Sequence, residues 1–193
     1  MTTRLDDAPD GTALERAEEA ALPTIRPETP DDIDAIAELH RAAFGGTAEA
    51  ELVDAVRRSA HFIPDLSLVA ELNGQVVGHL LLSRVELVPR GESGAIPFLA
   101  LAPVAVSPMH QARGVGTLLM RAGVALAGTR AEEIGIAVLG SPEFYGRFGF
   151  VPADDLEIVG PWPAPPGVFQ VLPLGGAALP AGTVSYPAPF AQL

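Results

Sequence analysis

The chain has 193 residues, of which 48% are hydrophobic, and its net charge is −12. This length and hydrophobicity predict a globular protein with one buried core, whereas the negative charge argues against nucleic-acid binding, which needs clustered Lys and Arg. Cysteine is absent, and no two histidines are spaced His-x-x-x-His, so we expect no disulfide, no thiolate nucleophile and no metal site. Every basic residue is arginine, which excludes a Walker-type phosphate loop because that loop requires a lysine.

The first 22 residues are acidic, rich in alanine and without an apolar core, unlike a signal peptide. No apolar stretch of the sequence approaches the length of a membrane-spanning helix. We therefore expect a mobile acidic tail over residues 1–22, a single domain over residues 23–193, a cytoplasmic location and no binding to membranes. Dimers are common among soluble bacterial-type enzymes, which makes a homodimer the default expectation.

The predicted elements begin with a short strand at Thr24–Arg26 and two helices. Thr29 has the position of an N-cap and is followed by proline at the first helical position and by acidic residues. Apolar residues at helical spacing extend this helix to Gly45-Gly46, and a second helix begins at Thr47. A hairpin follows, because Asn73-Gly74 suits a type I′ turn between strands over 66–72 and 75–88.

The next strand, Pro97–Val106, is almost continuously apolar, as expected for a strand buried on both faces of a sheet. Pro103 lies within it, and since proline cannot donate a backbone hydrogen bond, we expect irregular pairing there. A helix to Gly128, a strand over 134–139, a short helix over 141–149 and strands over 169–172 and 183–186 follow. The order β-α-α-β-β-β-α-β-α-β-β predicts an α/β fold with a mixed, mostly antiparallel central sheet and helices on both faces.

The junction between the apolar strand and the following helix is the most informative segment. Val104–Val106 leads into the loop Gln111-Ala112-Arg113-Gly114-Val115-Gly116, and an apolar helix follows at once. Such a loop gathers backbone N–H groups and the positive end of the helix dipole around one point, where a phosphate binds. A dinucleotide fingerprint does not fit, because Leu119 stands where the third glycine is needed. The two glycines taken alone are also compatible with a simple tight turn.

Two motifs in this order resemble those of the GCN5-related N-acetyltransferase (GNAT) superfamily. Val104-Ala105-Val106-Ser107-Pro108 followed by Gln111-Ala112-Arg113-Gly114-Val115-Gly116 is similar to its motif A, a V-x-V-x-P strand end followed by Q/R-x-x-G-x-G/A. Further along, Phe144-Tyr145-Gly146-Arg147-Phe148-Gly149-Phe150 resembles the Y-x-x-x-G-F ending of the family. Residues 139–150 look most like a bacterial subgroup, the YhbS-like proteins. The resemblance covers residues 24–193 and implies the GNAT fold.

The resemblance implies acetyl-CoA as the cofactor and direct transfer of its acetyl group to an amine of a small molecule or a protein. Val104 would polarise the thioester carbonyl through its N–H, and Tyr145 would be the general acid that protonates the departing thiolate. The implied cofactor-binding residues lie at the strand end and in the loop: Val104, Ala105, Val106, Gln111, Ala112, Arg113, Gly114, Val115, Gly116 and Thr117.

The base that deprotonates the incoming amine is not evident from these motifs. Relatives that acetylate histone lysine have a carboxylate four residues before the position of Val104, where this chain has Ala100. Candidate bases are Glu51 in the second helix, Glu86 in the long strand and His79, whereas deprotonation through water needs none of them. Trp162, in a proline-rich loop, is either a wall of the acceptor pocket or an anchor of the loop.

Two alternatives to an enzyme remain open at this point. A non-catalytic module that binds or senses acyl-CoA would keep the same fold, and a structural protein would bind no CoA. Intact Gly114, Gly116 and Tyr145 favour the enzyme. No motif identifies the acceptor, because the surface helices and loops that select it vary freely on such a scaffold.

Overall fold

The computed structural model describes residues 22–192; the predicted acidic tail lies outside the described residues apart from Leu22. The helices are α1 (Ile33–Phe44), α2 (Ala48–Arg57), α3 (Val115–Ala127) and the one-turn α4 (Pro142–Tyr145). The strands are β1 (Thr24–Pro27), β2 (Ser67–Leu72), β3 (Gln75–Pro89), β4 (Ile96–Val106), β5 (Gly135–Leu139), β6 (Val151–Pro152), β7 (Ile158–Val159), β8 (Phe169–Pro173) and β9 (Gly182–Ser185).

Within residues 22–192, no helix is both long and apolar enough to cross a membrane. The cytoplasmic location, the homodimer and the single domain over residues 23–193 stay predictions.

The described strands form one sheet in the order β1-β2-β3-β4-β5-β8-β6, and β9 pairs with β3 and β7. Pairing is parallel between β4 and β5 and between β7 and β9, and antiparallel in the other described pairs. The predicted mixed, mostly antiparallel sheet is therefore confirmed. The strands β6 and β7 are not predicted by the sequence, because two residues are too few to show an alternation of apolar and polar side chains.

Helices cover both faces of the sheet, as predicted. On one face, α1 and α2 contribute Ile36 and Val56 to an apolar cluster that also contains Leu81 of β3. On the other face, Leu119 of α3 belongs to a second cluster with Leu80. Neighbouring residues of β3 thus enter opposite clusters, since successive side chains of a strand leave opposite faces.

Two glycines allow α3 to approach β3 closely. A Cβ at Gly78 would lie 2.9 Å from a methyl carbon of Leu119 and 3.0 Å from one of Val115, and a Cβ at Gly123 would lie 3.0 Å from Leu80. These distances are shorter than packed carbon atoms tolerate. Glycine at both positions therefore lets α3 pack close to the sheet. This places the first turn of the helix near the end of β4.

A buried polar network ties α1 and α2 to the sheet. Nε2 of His40 lies 2.9 Å from Nδ1 of His79, whose Nε2 lies 3.0 Å from the hydroxyl of Ser67. That hydroxyl and the guanidinium of Arg57 each donate to the Glu28 carboxylate at 2.6 Å. Because Ser67 gives its only proton to Glu28, Nε2 of His79 carries a proton, which it shares between Ser67 and the Glu28 carboxylate oxygen 3.3 Å away, while Nδ1 accepts from His40.

Burial and hydrogen bonding set the charges in this network. Burial lowers the pKa of His40 to about 3 and also lowers the pKa of His79, so both rings are neutral at neutral pH. Burial alone would raise the pKa of Glu28, but hydrogen bonds from His79, Arg57 and Ser67 outweigh it and lower the pKa to about 2. The carboxylate is therefore ionised and paired with Arg57.

Candidate functional site

β4 separates from its neighbour β5 halfway along its length. The two strands pair at Leu99 with Ile136 and at Ala100 with Ala137. Beyond these positions the end of β5 continues to pair with β8, whereas the described pairing of β4 is with β3 alone. A wedge-shaped opening therefore lies between the ends of β4 and β5.

An irregularity in β4 comes where this opening begins, as Pro103 predicts. Leu82 of β3 pairs with Leu101, and Leu80 pairs with Val104. The segment of β4 between these pairs is one residue longer than the segment of β3, which makes it a β-bulge. The expected irregular pairing is confirmed, and its physical reason is that proline has no N–H to give to the ladder.

Backbone groups at the end of β4 alternate between β3 and the opening. The N–H of Ser107 donates to the carbonyl of Val77 in β3 at 2.9 Å, and the carbonyl of Val106 accepts from the side-chain amide of Gln111 at 3.1 Å. Since successive residues of a strand direct their N–H groups to opposite sides, those of Val104 and Val106 point into the opening. In the described structure, no strand pairs with these donors.

The first turn of α3 presents further backbone donors next to this edge. Gly114 is the N-cap, with φ of +86°, a conformation that favours glycine. The first hydrogen bond of the helix runs from the N–H of Leu118 to the carbonyl of Gly114 at 3.0 Å. The N–H groups of Gly116 and Thr117 precede it and have no acceptor within the helix. Together with the positive end of the helix dipole they form a site suited to an anion.

The strand edge and the helix start enclose a cavity of about 560 Å³, which we call the β4–α3 cleft. Most of the predicted cofactor residues line it, together with Tyr145: Val104, Val106, Gln111, Ala112, Gly114, Val115, Gly116 and Thr117. Ala105 is 2% exposed and pairs with His79 of β3, and Arg113 is exposed and lies outside the lining. The structure therefore does not bring the side chains of these two residues into the cleft.

Three further residues line the cleft that the sequence analysis does not single out: His110, Phe144 and Arg147. The guanidinium carbon of Arg147 lies 4.8 Å from the centre of the Phe144 ring, which places a cation at the wall of the cleft. Nδ1 of His110 is buried and has no hydrogen-bond partner among the described residues. Arg147 lies inside the motif around Tyr145, so its position in the sequence could have indicated it.

Tyr145 ends α4 and packs among aromatic rings. The hydroxyl of Ser141 caps this helix by accepting from the N–H of Phe144 at 3.3 Å. Glycine at position 140 leaves room for the Tyr145 ring, because a Cβ there would clash with it. The ring meets Phe144 and Phe150 edge to face, with centroids 5.0 and 5.8 Å apart. Burial raises the pKa of Tyr145 to about 12, so the phenol is protonated at neutral pH.

A second cavity, of about 470 Å³, lies on the other side of Val104 and Tyr145; we call it the aromatic cavity. Both residues line the β4–α3 cleft as well, so this pair borders both spaces. Trp162 lines the aromatic cavity and also packs against the apolar cluster that contains Ile36 and Val56, so the structure is compatible with both of its sequence interpretations. Glu49 is the carboxylate among the lining residues.

None of the three candidate bases lies at this junction. Glu51 lines a groove between α1 and α2 instead. Glu86 is six residues along β3 from Leu80, the partner of Val104, which is about 20 Å at roughly 3.3 Å per residue. His79 is fully buried and bonded to its neighbours in the network. Among the described residues, the carboxylate that lines the aromatic cavity belongs to Glu49, and the assignment of the base to Glu51, Glu86 or His79 stays a prediction.

Comparison with known proteins identifies the family. The sequence model of the acetyltransferase (GNAT) domain matches residues 24–153. The N-acetyltransferase YjhQ of Escherichia coli is 37% identical over 138 residues, which cover 69% of this chain and 73% of YjhQ. The N-acetyltransferase YhbS of the same organism is 34% identical over 159 residues, or 80% of this chain and 89% of YhbS. The chain therefore belongs to the GNAT acetyltransferase family, and the predicted superfamily and enzyme class, an N-acetyltransferase, are confirmed.

Solved structures of two such proteins share the fold. YhbS from Escherichia coli, in complex with CoA, superposes with a TM-score of 0.76 at 31% identity and covers 88% of this chain and 93% of its own. A GNAT family acetyltransferase from Brucella melitensis, in complex with acetyl-CoA, has a TM-score of 0.67 at 37% identity, with coverage of 86% and 97%. The predicted GNAT fold is confirmed.

Proposed function

We propose that this chain transfers the acetyl group of acetyl-CoA to a primary amine by direct attack of the amine nitrogen on the thioester. The observation that carries this proposal is that Val104 and Tyr145 line both the β4–α3 cleft and the aromatic cavity. A reaction between two bound substrates needs two sites whose reacting atoms come together at one point. This pair of residues supplies such a point.

Acetyl-CoA is the donor that suits the β4–α3 cleft. It supplies an acetyl thioester, a pyrophosphate and an extended pantetheine arm. The N–H groups of Gly116 and Thr117 and the guanidinium of Arg147 suit the pyrophosphate. The N–H of Val106 suits an arm that lies against β4 as an additional strand. The neighbours solved with CoA and with acetyl-CoA support this donor.

Val104 and Tyr145 act on the reacting atoms in this proposal. The N–H of Val104 donates to the carbonyl oxygen as negative charge develops there. Tyr145 donates its proton to the sulfur as the C–S bond breaks and the C–N bond forms. The proton that the amine nitrogen loses passes to a base or restores the phenol, so the products are an amide and a free thiol.

The substitution Tyr145→Phe tests the role of the phenol. It removes the acidic proton and keeps the ring, so we expect kcat for thiol release to fall about 100-fold or more. Calorimetric titration with CoA checks that the β4–α3 cleft is intact, and we expect its Kd to change by less than about threefold.

An unchanged kcat in this variant would remove Tyr145 from the mechanism. CoA binding by the wild-type protein without thiol release, across aromatic, aliphatic and amino-acid amines, would instead support the non-catalytic acyl-CoA module. Failure to bind CoA at all would contradict both.

A further inference from the structure

The aromatic cavity is lined by rings from distant parts of the chain, and three of these rings contact one another. Phe44 ends α1, Trp162 lies in the proline-rich loop, and Tyr186 and Phe190 follow β9. The ring centroids of Trp162 and Tyr186 are 4.8 Å apart, and those of Tyr186 and Phe190 are 5.0 Å apart, each pair edge to face. A flat or aliphatic group gains contact with this wall and loses contact with water on entering the cavity.

Glu49 places one carboxylate in this apolar surrounding. It lies in the first turn of α2 and is half-buried. No Arg or His contributes to the lining of the cavity among the described residues. Nor does any cation described by the structure lie within ion-pair distance of Glu49, whereas Asp54 of the same helix pairs with Arg57 and Arg58. The cavity therefore offers a carboxylate that no cation of the described chain neutralises.

We infer that the aromatic cavity binds a monoamine with an aromatic or long aliphatic body and no carboxylate, which rests on the proposed acetyl transfer. An ammonium complements Glu49 by a charge-assisted hydrogen bond, and aromatic faces attract cations as well. A carboxylate on the acceptor, or a second ammonium, would be buried in the cavity without a partner and is strongly disfavoured. The net charge of −12 adds a long-range attraction for the cationic amine.

Glu49 also prepares the amine for attack. Its carboxylate accepts a proton from the bound ammonium: the N–H bond breaks, the electron pair stays on nitrogen, and the carboxylate becomes a carboxylic acid. The neutral nitrogen then meets the thioester carbonyl at the junction lined by Val104 and Tyr145. The amide product carries no charge, so its attraction to the cavity is weaker than that of the amine.

The single tryptophan of the chain, Trp162, reports binding in this cavity without any turnover. With CoA bound, three amines are titrated: 2-phenylethylamine, phenylalanine, which has an added carboxylate, and putrescine, which has a second ammonium. We expect a saturable change in fluorescence with 2-phenylethylamine and a Kd at least about 100-fold lower than for the other two. Equal or tighter binding of phenylalanine or putrescine overturns the inference, as does the absence of 2-phenylethylamine binding.

Glu49→Gln and Glu51→Gln form a matched pair, because they remove the same charge from the same helix. We expect Glu49→Gln to raise the Kd for 2-phenylethylamine about 10-fold to 100-fold and Glu51→Gln to change it less than about twofold. An equal increase in Kd in both variants would contradict a direct contact between Glu49 and the amine. It would mean that only the negative charge of α2 contributes to binding.

Thiol release measured with the same amines separates this inference from the proposed function. Selective binding of 2-phenylethylamine without thiol release would overturn the acetyl transfer and leave the ligand class standing. Thiol release with equal kcat/KM for phenylalanine or putrescine would overturn the ligand class and leave the acetyl transfer standing.

Discussion

The β4–α3 cleft and the aromatic cavity lie on either side of Val104 and Tyr145 but are built from different parts of the polypeptide. The cleft consists largely of backbone, namely the free edge of β4 and the first N–H groups of α3. The cavity consists of side chains from segments far apart in the sequence. Backbone donors are available to any chain with this local fold, so the cleft suits a donor that many relatives share. In our proposal, the side chains of the cavity instead select the acceptor of this particular chain.

The two sides also differ in what holds them to the sheet. α3 packs through apolar side chains and the close approach at Gly78 and Gly123, whereas α1 and α2 are tied by the network from His40 to Arg57. The ring of His40 stacks on Phe44 of the aromatic cavity, with centroids 5.9 Å apart. Because histidines and carboxylates titrate and apolar contacts do not, this network makes the packing of α1 and α2 on the sheet sensitive to acid.

Acidification is expected to have the largest effect, a loss of stability. The pKa values of His40 and His79 are lower in the folded protein than the usual 6.5, so the unfolded chain binds more protons below that pH. Stability is therefore full above pH 6.5 and falls as the pH decreases. His40 alone reduces the free energy of unfolding by on the order of 3 kcal/mol between pH 6.5 and 4. Thermal unfolding at a series of pH values measures this.

His40→Gln is the control for this pH dependence. The glutamine amide still offers a donor to His79 but does not titrate, so we expect Tm to decline less steeply between pH 6.5 and 4 than in the wild type. The same steepness in both proteins would assign the acid sensitivity to groups outside the network.

Two substitutions, one in each site, test whether the two sites bind their substrates independently. Their expected effects are smaller than that of acid. Trp162→Ala removes part of the aromatic wall, and we expect KM for 2-phenylethylamine to rise about 10-fold. Arg147→Ala removes the cation at the cleft, and we expect KM for acetyl-CoA to rise about fivefold, since the guanidinium is exposed. Each variant should leave the KM of the other substrate within about twofold, as measured by steady-state kinetics.

Arg121→Ala is the control for Arg147→Ala, because Arg121 is an exposed arginine on α3 that lines neither site. We expect both KM values to stay within about twofold of the wild type. If Trp162→Ala or Arg147→Ala raised both KM values alike, the cleft and the cavity would not be independent sites.

The sequence predicts the cleft better than the cavity for a physical reason. The signals for the cleft are local and lie within one continuous segment: Pro103, Gly114 and the apolar periodicity of α3. They determine the strand edge, the loop and the start of the helix. The residues that line the aromatic cavity meet only through the tertiary fold, and no local pattern joins Glu49 to Tyr186. Two residues of an α-helix turn a side chain by about 200°, so Glu49 and Glu51 face different spaces. Which of them lines the aromatic cavity depends on how α2 packs.

A conjugate that joins the nitrogen of 2-phenylethylamine through an acetyl linker to the sulfur of CoA would span both sites at once. If the cleft and the cavity meet at Val104 and Tyr145, calorimetry will give a Kd at least about 100-fold lower than that of CoA. Trp162→Ala should remove most of that gain. A conjugate that binds no more tightly than CoA, or equally well to both proteins, would contradict the meeting of the two sites at this pair.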